Sequence, residues 1–212
     1  MLSKEIKRKA NGQFVKGLIY GVGFDDTDYL KERRKGVDGA ITIWRCPAYR
    51  SWKNMLDRCY RHNGAYTGKV VVDVEWHTFS NFKAWFDKHH QDGWELDKDI
   101  MGGKVYSKNH CFFIPKDLNQ YLKGLNEPSS GVCWDSSRNK FRAYCKPYKS
   151  HWKQLGRYDD PIDAKRAWLR SKEENVIKIM NLFDVPRHVR LAVYSCFYTM
   201  SANLEIHGNV CG

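Results

Sequence analysis

Apolar residues recur at helical spacing in a few stretches of the chain and at strand spacing in several others. Across residues 49–60 (YRSWKNMLDRCY), Trp52, Met55, Leu56 and Cys59 share one side of a helix and leave Arg50, Lys53, Asn54 and Arg58 outward. Pro47 stands just ahead, where a helix start tolerates it. Residues 70–76 (VVVDVEW) read as a short strand, and residues 79–89 as a second helix with Phe82, Trp85 and Phe86 inward. His89 and His90 close that helix, where positive charge complements the dipole. Upstream, residues 14–24 (FVKGLIYGVGF) are strand-like but interrupted by Gly17, Gly21 and Gly23, which predicts bends or bulges. Residues 25–40, with their KERRKG run, read as a solvated charged loop, with phosphate contact as the alternative.

Residues 95–119 (ELDKDIMGGKVYSKNHCFFIPKDLN) concentrate acids, a His, an Asn and a Gly-rich bend. As a strand, ELDKDI would place Asp97 and Asp99 on one face. HCFFI reads as a second strand, and Pro115 opens a helix through PKDLNQYLK. EPSS, residues 127–130, is a turn-rich break. Beyond it GVCWD, KFRAYCK and HWKQLGRY are three antiparallel strands, and Asp160 with Pro161 starts a long helix. Its Ala164, Ala167 and Trp168 would cover the sheet, Pro186 ends or kinks it, and residues 189–200 read as one more short helix. Period-two alternation puts Val132, Trp134, Phe141, Ala143, Cys145 and Leu155 on the covered side. Arg142, Tyr144, Lys146, Trp152 and Gln154 fall on the open side, a surface suited to a DNA groove or simply a polar sheet face. The expected fold class is α+β.

Composition narrows the partner. The chain has 212 residues, 42% of them hydrophobic and 14% aromatic, with 8 Trp, enough for a packed core. Its net charge of +12 and pI near 9.3 favour a polyanion, and no amphipathic basic helix or lipidation signal points to a membrane instead. The N-terminal MLSKEIKRKANGQF lacks the apolar core of a signal peptide, and no apolar run reaches membrane-spanning length. The seven cysteines are an odd set without a Cys-x-x-Cys, so no structural zinc is expected. The expected location is cytoplasmic, with reduced thiols and no secretion.

Two resemblances become specific at these residues. G-V-x-W, K-F-x-A, L-G-x-Y and D-x-P-x-D-A-x-x-A-W resemble the APETALA2-type DNA-binding domain in its phage and integrase-associated form, over residues 131 to about 175. That resemblance implies a three-stranded sheet in the major groove with a helix behind, and contacts from Cys133, Asp135, Arg142, Tyr144, Lys146, Trp152 and Gln154. Plant members often carry Arg on the first strand, where this chain has Cys133 and Asp135. Upstream, Y-R-S-W-x-x-M-x-x-R-C-Y, E-W-x-x-F-x-x-F, L-D-K-D-I and Y-S-x-x-x-C-x-F-x-P are similar to phage HNH-type endonucleases over residues 49–123. Those proteins are associated with an appended APETALA2-type domain.

The second resemblance implies metal-dependent hydrolysis of phosphodiesters in double-stranded DNA, with an HNH-like ββα unit at its centre. Asp97 and Asn119 would hold Mg²⁺ or another divalent metal, with Asp99 beside them. His110 would act as base and Lys98 would neutralise phosphate. Lys98 stands where the functional motif carries His, so a degenerate nuclease remains open: a catalytically inactive DNA-binding protein serving regulation or host takeover. RNA binding, by stacking on Tyr144 and Trp152, is a third reading. Cys59 with His62, and His110 with Cys111, are isolated pairs with little claim on zinc. The expected domains are a basic tail and irregular strand region (1–48), an HNH-like endonuclease domain (49–126), an APETALA2-type domain (127–180) and a helical extension (181–212).

Overall fold

A computed structural model describes residues 17–35, 41–125 and 130–208. The basic tail over residues 1–12 and most of the EPSS break lie outside the described residues. The fold is α+β, with five α-helices among the described residues and short strands gathered in small sheets. The chain divides into two compact units, residues 1–92 with 96–113, and residues 93–95 with 114–212.

The first unit is built on aromatic packing. Strands β1 (Glu32–Lys35) and β2 (Ile41–Arg45) form an antiparallel pair, so part of the charged run expected to be loop is strand. Helix α1 (Pro47–Tyr60) buries Trp52, Met55, Leu56 and Cys59 on the stripe their spacing predicts, with Pro47 in its first turn. Helix α2 (Phe79–His89) buries Phe79, Phe82 and Phe86. Trp52, wholly buried, donates its indole N–H to the Trp76 carbonyl at 2.6 Å, and its ring meets Phe79 at 5.2 Å. Truncating such a residue to Ala costs about 3–5 kcal/mol.

The strand expected over residues 70–76 shrinks to β3 (Val71–Val72). The Asp73 carboxylate accepts the Glu75 N–H at 2.9 Å and turns the chain into a 3₁₀ helix (Val74–His77), local capping overriding strand propensity. β3 runs parallel to β5 (Val105–Tyr106). Residues 17–24 form turns with an isolated bridge between Ile19 and Gly23 where a strand was expected. Strand β4 (Trp94–Asp97) pairs with β6 (Phe112–Pro115).

In the second unit, helix α3 (Lys116–Leu122) precedes an antiparallel sheet of β7 (Val132–Asp135), β8 (Lys140–Cys145) and β9 (Lys153–Tyr158), with β8 central. Helix α4 (Pro161–Leu182) lies against the sheet. The Asp160 carboxylate accepts the Ile162 N–H at 2.6 Å as its N-cap, and Pro161 occupies the first turn. Ala164 and Trp168 are buried on α4, as is Ala143 on β8. Gly131 is required at the head of the sheet: its φ is +74°, and a Cβ there would sit 1.8 Å from the Trp168 ring. Helix α5 (Arg187–Gly208) is longer than the 189–200 expected and packs on α4. Arg190 explains how the turn between them holds. Its guanidinium donates to the Met180 carbonyl in the last turn of α4 at 2.7 Å and to the Val185 carbonyl in the connecting turn at 2.6 Å.

Candidate functional site

Register decides what the open sheet face carries, because residues directly opposite on neighbouring strands share a face. Cys133 pairs with Arg142 and Asp135 with Lys140 across β7–β8. Across β8–β9 Arg142 pairs with Arg157 and Tyr144 with Gln154. Between those two pairs the register shifts, so Leu155 on β9 has no partner and the alternation changes phase. Arg157 therefore joins Arg142, Tyr144 and Gln154, whereas strict alternation from Gln154 would have selected Gly156. This is the residue that pattern reading missed. Gly156 was the available signal, since an isolated Gly within a strand marks a bulge.

The face is ordered by its own contacts. Asp135 binds the Arg157 guanidinium at 3.0 Å and the Ser137 hydroxyl at 2.6 Å. The Ser137 hydroxyl, followed by Arg157, holds the Asp135 carboxyl below the usual carboxylate range. Arg142 donates to the Cys133 sulfur at 3.4 Å. Tyr144 meets the edge of Trp152 at 5.4 Å, and Trp152 is 65% exposed. Lys146 stands exposed just beyond β8, and Lys140 is ion-paired with Asp159 at 2.9 Å. Cys133 and Asp135, the first-strand departures from the resembled family, thus serve to position the two arginines. Trp134 packs its ring on Phe141 at 4.8 Å on the covered side, yet it is 50% exposed because β7 is an edge strand.

The 95–119 segment is arranged differently from the expected strand. β4 stops at Asp97, whose carboxylate accepts the Ile100 N–H at 3.0 Å and opens a 3₁₀ turn over Asp99–Met101. Asp97 and Asp99 therefore share no strand face. Asp97 is buried, and burial raises its pKa from 3.8 to about 6. Lys98 is also buried, with its ammonium on Asp99 Oδ1 and 4.2 Å from the centre of the Tyr66 ring. Asp99 itself is exposed. His110 is exposed, with Nδ1 at 2.8 Å from the Ser107 hydroxyl. In the tautomer where Nδ1 donates to Ser107, Nε2 is the basic nitrogen. In the second unit Asn119 donates its amide N–H to Glu95 at 2.8 Å, which fixes which end of the amide is the oxygen.

Burial pushes the Cys59 thiol up to about 11 and the Cys111 thiol up to about 12, away from the thiolate that metals take. Among the described residues, no group of three or more His, Cys, Asp or Glu side chains is placed to hold a metal ion, and no helix is long and apolar enough to cross a membrane.

No protein-family model matches the chain, and no curated protein or solved structure shows significant similarity to it.

Proposed function

We propose that the chain is a DNA-binding protein that lays the open face of β7–β9 along double-stranded DNA. The observation that carries this reading is the cross-strand row Arg142–Arg157 beside Tyr144–Gln154, presented on a sheet braced by α4. The major groove admits a β-ribbon. Arg matches the acceptor edge of guanine, and Gln matches adenine. Lys146 and the surplus of +12 supply the phosphate term. The APETALA2-type motifs quoted above support the same surface. Such a ligand would put the protein on the nucleoid of a bacterial or phage-infected cell.

The test is binding to short duplexes as salt is raised. Affinity should fall steeply between about 50 and 200 mM salt, as phosphate neutralisation requires. A flat response removes the proposal.

Cleavage is a second reading, favoured by Asp97, since acids with burial-raised pKa values concentrate at functional sites. Asp97 in the first unit and the Asn119 carbonyl in the second are each hard oxygen donors of the kind Mg²⁺ takes, with several waters kept. A divalent metal held by Asp97 would polarise the phosphate and acidify a water. His110 Nε2 would accept the water proton. Lys98 would reach a phosphate only by giving up Asp99, so its present role is to fix the loop. Without that chemistry the sheet face alone would serve a regulatory or host-takeover role. Supercoiled plasmid with Mg²⁺ or Mn²⁺ separates the two. Nicking by the wild type and none by Asp97→Ala supports cleavage, and equal traces from both remove it.

A further inference from the structure

A cleft of about 360 Å³ opens beside the sheet in the second unit, within the size range of small-ligand sites. Its wall combines Tyr121, Tyr148 and Trp152 with Lys146, Lys149 and Lys172; no carboxylate lines it, and Asp117 stands behind it, 3.9 Å from the Lys149 ammonium. The aromatic groups are held in place. The Tyr148 hydroxyl donates to Asp117, and Lys172 donates to the Tyr121 carbonyl while lying 3.9 Å from the centre of the Tyr121 ring. Lys149 sits on a turn at φ +53°, 5.1 Å from the centre of the Tyr148 ring. Trp152 belongs to both places: it lines the cleft, and it meets Tyr144 of the open face edge-on. A largely exposed indole at the mouth of a cationic cleft offers a stacking surface with amines beside it. That combination suits a planar base carrying an anionic phosphate.

We infer that this cleft receives one unpaired nucleotide of the DNA lying on the open face, its base against Trp152 and its phosphate between Lys146 and Lys149. The inference rests on the DNA-binding reading above. A base swung out of the duplex next to Tyr144 reaches Trp152 without leaving the protein surface. The aromatic walls then replace the stacking the base has lost, and the lysines follow the backbone that moves with it.

The experiment uses the full chain and three probes: a paired duplex, the same duplex with a single bulged 2-aminopurine, and the free nucleotide dAMP. The bulged duplex should bind about fivefold to tenfold tighter than the paired one, the scale of one base stacked on an aromatic side chain, and 2-aminopurine fluorescence should be quenched. Lys149→Asn, chosen because Asn tolerates the left-handed turn, should remove most of that preference with the circular dichroism unchanged. Trp152→Leu should abolish the quenching. Equal affinity for bulged and paired duplexes, with no quenching, overturns the inference and leaves the sheet-face reading standing. Failure to bind either duplex overturns both. Binding of dAMP as tight as that of the bulged duplex would make this a free-nucleotide site and overturn the strand-linked form.

Discussion

The open sheet face and the Asp97 loop both carry charged residues in a short span, and the structure treats them in opposite ways. On the sheet, Asp135 and Cys133 hold Arg157 and Arg142 across the strands while those side chains stay at the surface. In the loop, Asp97 turns back onto its own backbone, and Lys98 is folded under Tyr66 with Asp99 as its counter-ion. Charges paired across strands remain available to a ligand. Charges spent on capping a turn are consumed by the fold. The first arrangement favours recognition, and the second stabilises a shape before it offers any chemistry.

Substitutions can break this contrast, beginning with the strongest effect. Gly131→Ala attacks the support of the sheet, because the new methyl meets Trp168 in a left-handed turn. It should destabilise the second unit by about 3 kcal/mol or more, read as a lowered Tm. A change below about 1 kcal/mol would mean that the sheet is not locked to α4 as described.

Next come the arginines. Arg142→Ala and Arg157→Ala should each weaken duplex binding about tenfold, and the double variant about a hundredfold, in fluorescence anisotropy. If Arg157→Ala has no effect, the change of phase on β9 does not matter to recognition and the contrast loses one of its arms.

Asp97 gives a pH signature. Its folded pKa of about 6 lies above 3.8, so the neutral form is favoured by folding. That contribution is fully present below about pH 4 and is lost as pH rises through 6, at a cost of about 2–3 kcal/mol by pH 8. Asp97→Asn cannot ionise, so its Tm should exceed that of the wild type by a margin that grows from pH 4 to pH 8. A margin that shrinks with rising pH would show that the wild-type carboxylate is stabilised by a cation, and Mg²⁺ should then raise the Tm of the wild type but not of Asp97→Asn. The smallest effect belongs to Lys98. Lys98→Met keeps its packing against Tyr66 and should change stability by no more than about 1 kcal/mol. A larger loss would make the Asp99 pair the main support of the loop.

The sequence made the helices legible wherever one apolar stripe and one stop signal agreed. Trp52, Met55, Leu56 and Cys59 mark α1, and Asp160–Pro161 marks the start of α4. It failed where a single polar side chain redirected the backbone. Asp73 and Asp97 each accept an N–H two or three residues on, so strand-like alternation ends in a 3₁₀ turn. On the site, Arg142, Tyr144 and Gln154 were legible from alternation, while Arg157 was hidden because alternation counts residues and a bulge changes the count. The burial of Lys98 depends on Tyr66, which lies far from it in sequence, and on Tyr106 beyond the intervening Gly-rich bend, neither marked by the strand-like alternation around Lys98.

The unpaired Leu155 also implies a particular kind of fragility. Deleting Leu155 would remove the bulge and leave Arg157 opposite Arg142, whereas flattening the bulge with Leu155 retained would carry Arg157 to the face of the sheet that packs on α4. The recognition surface is therefore set by one irregularity of the backbone as much as by residue type. Such a surface should tolerate many substitutions at position 155, and even loss of that residue, while any change that flattens the bulge erases it.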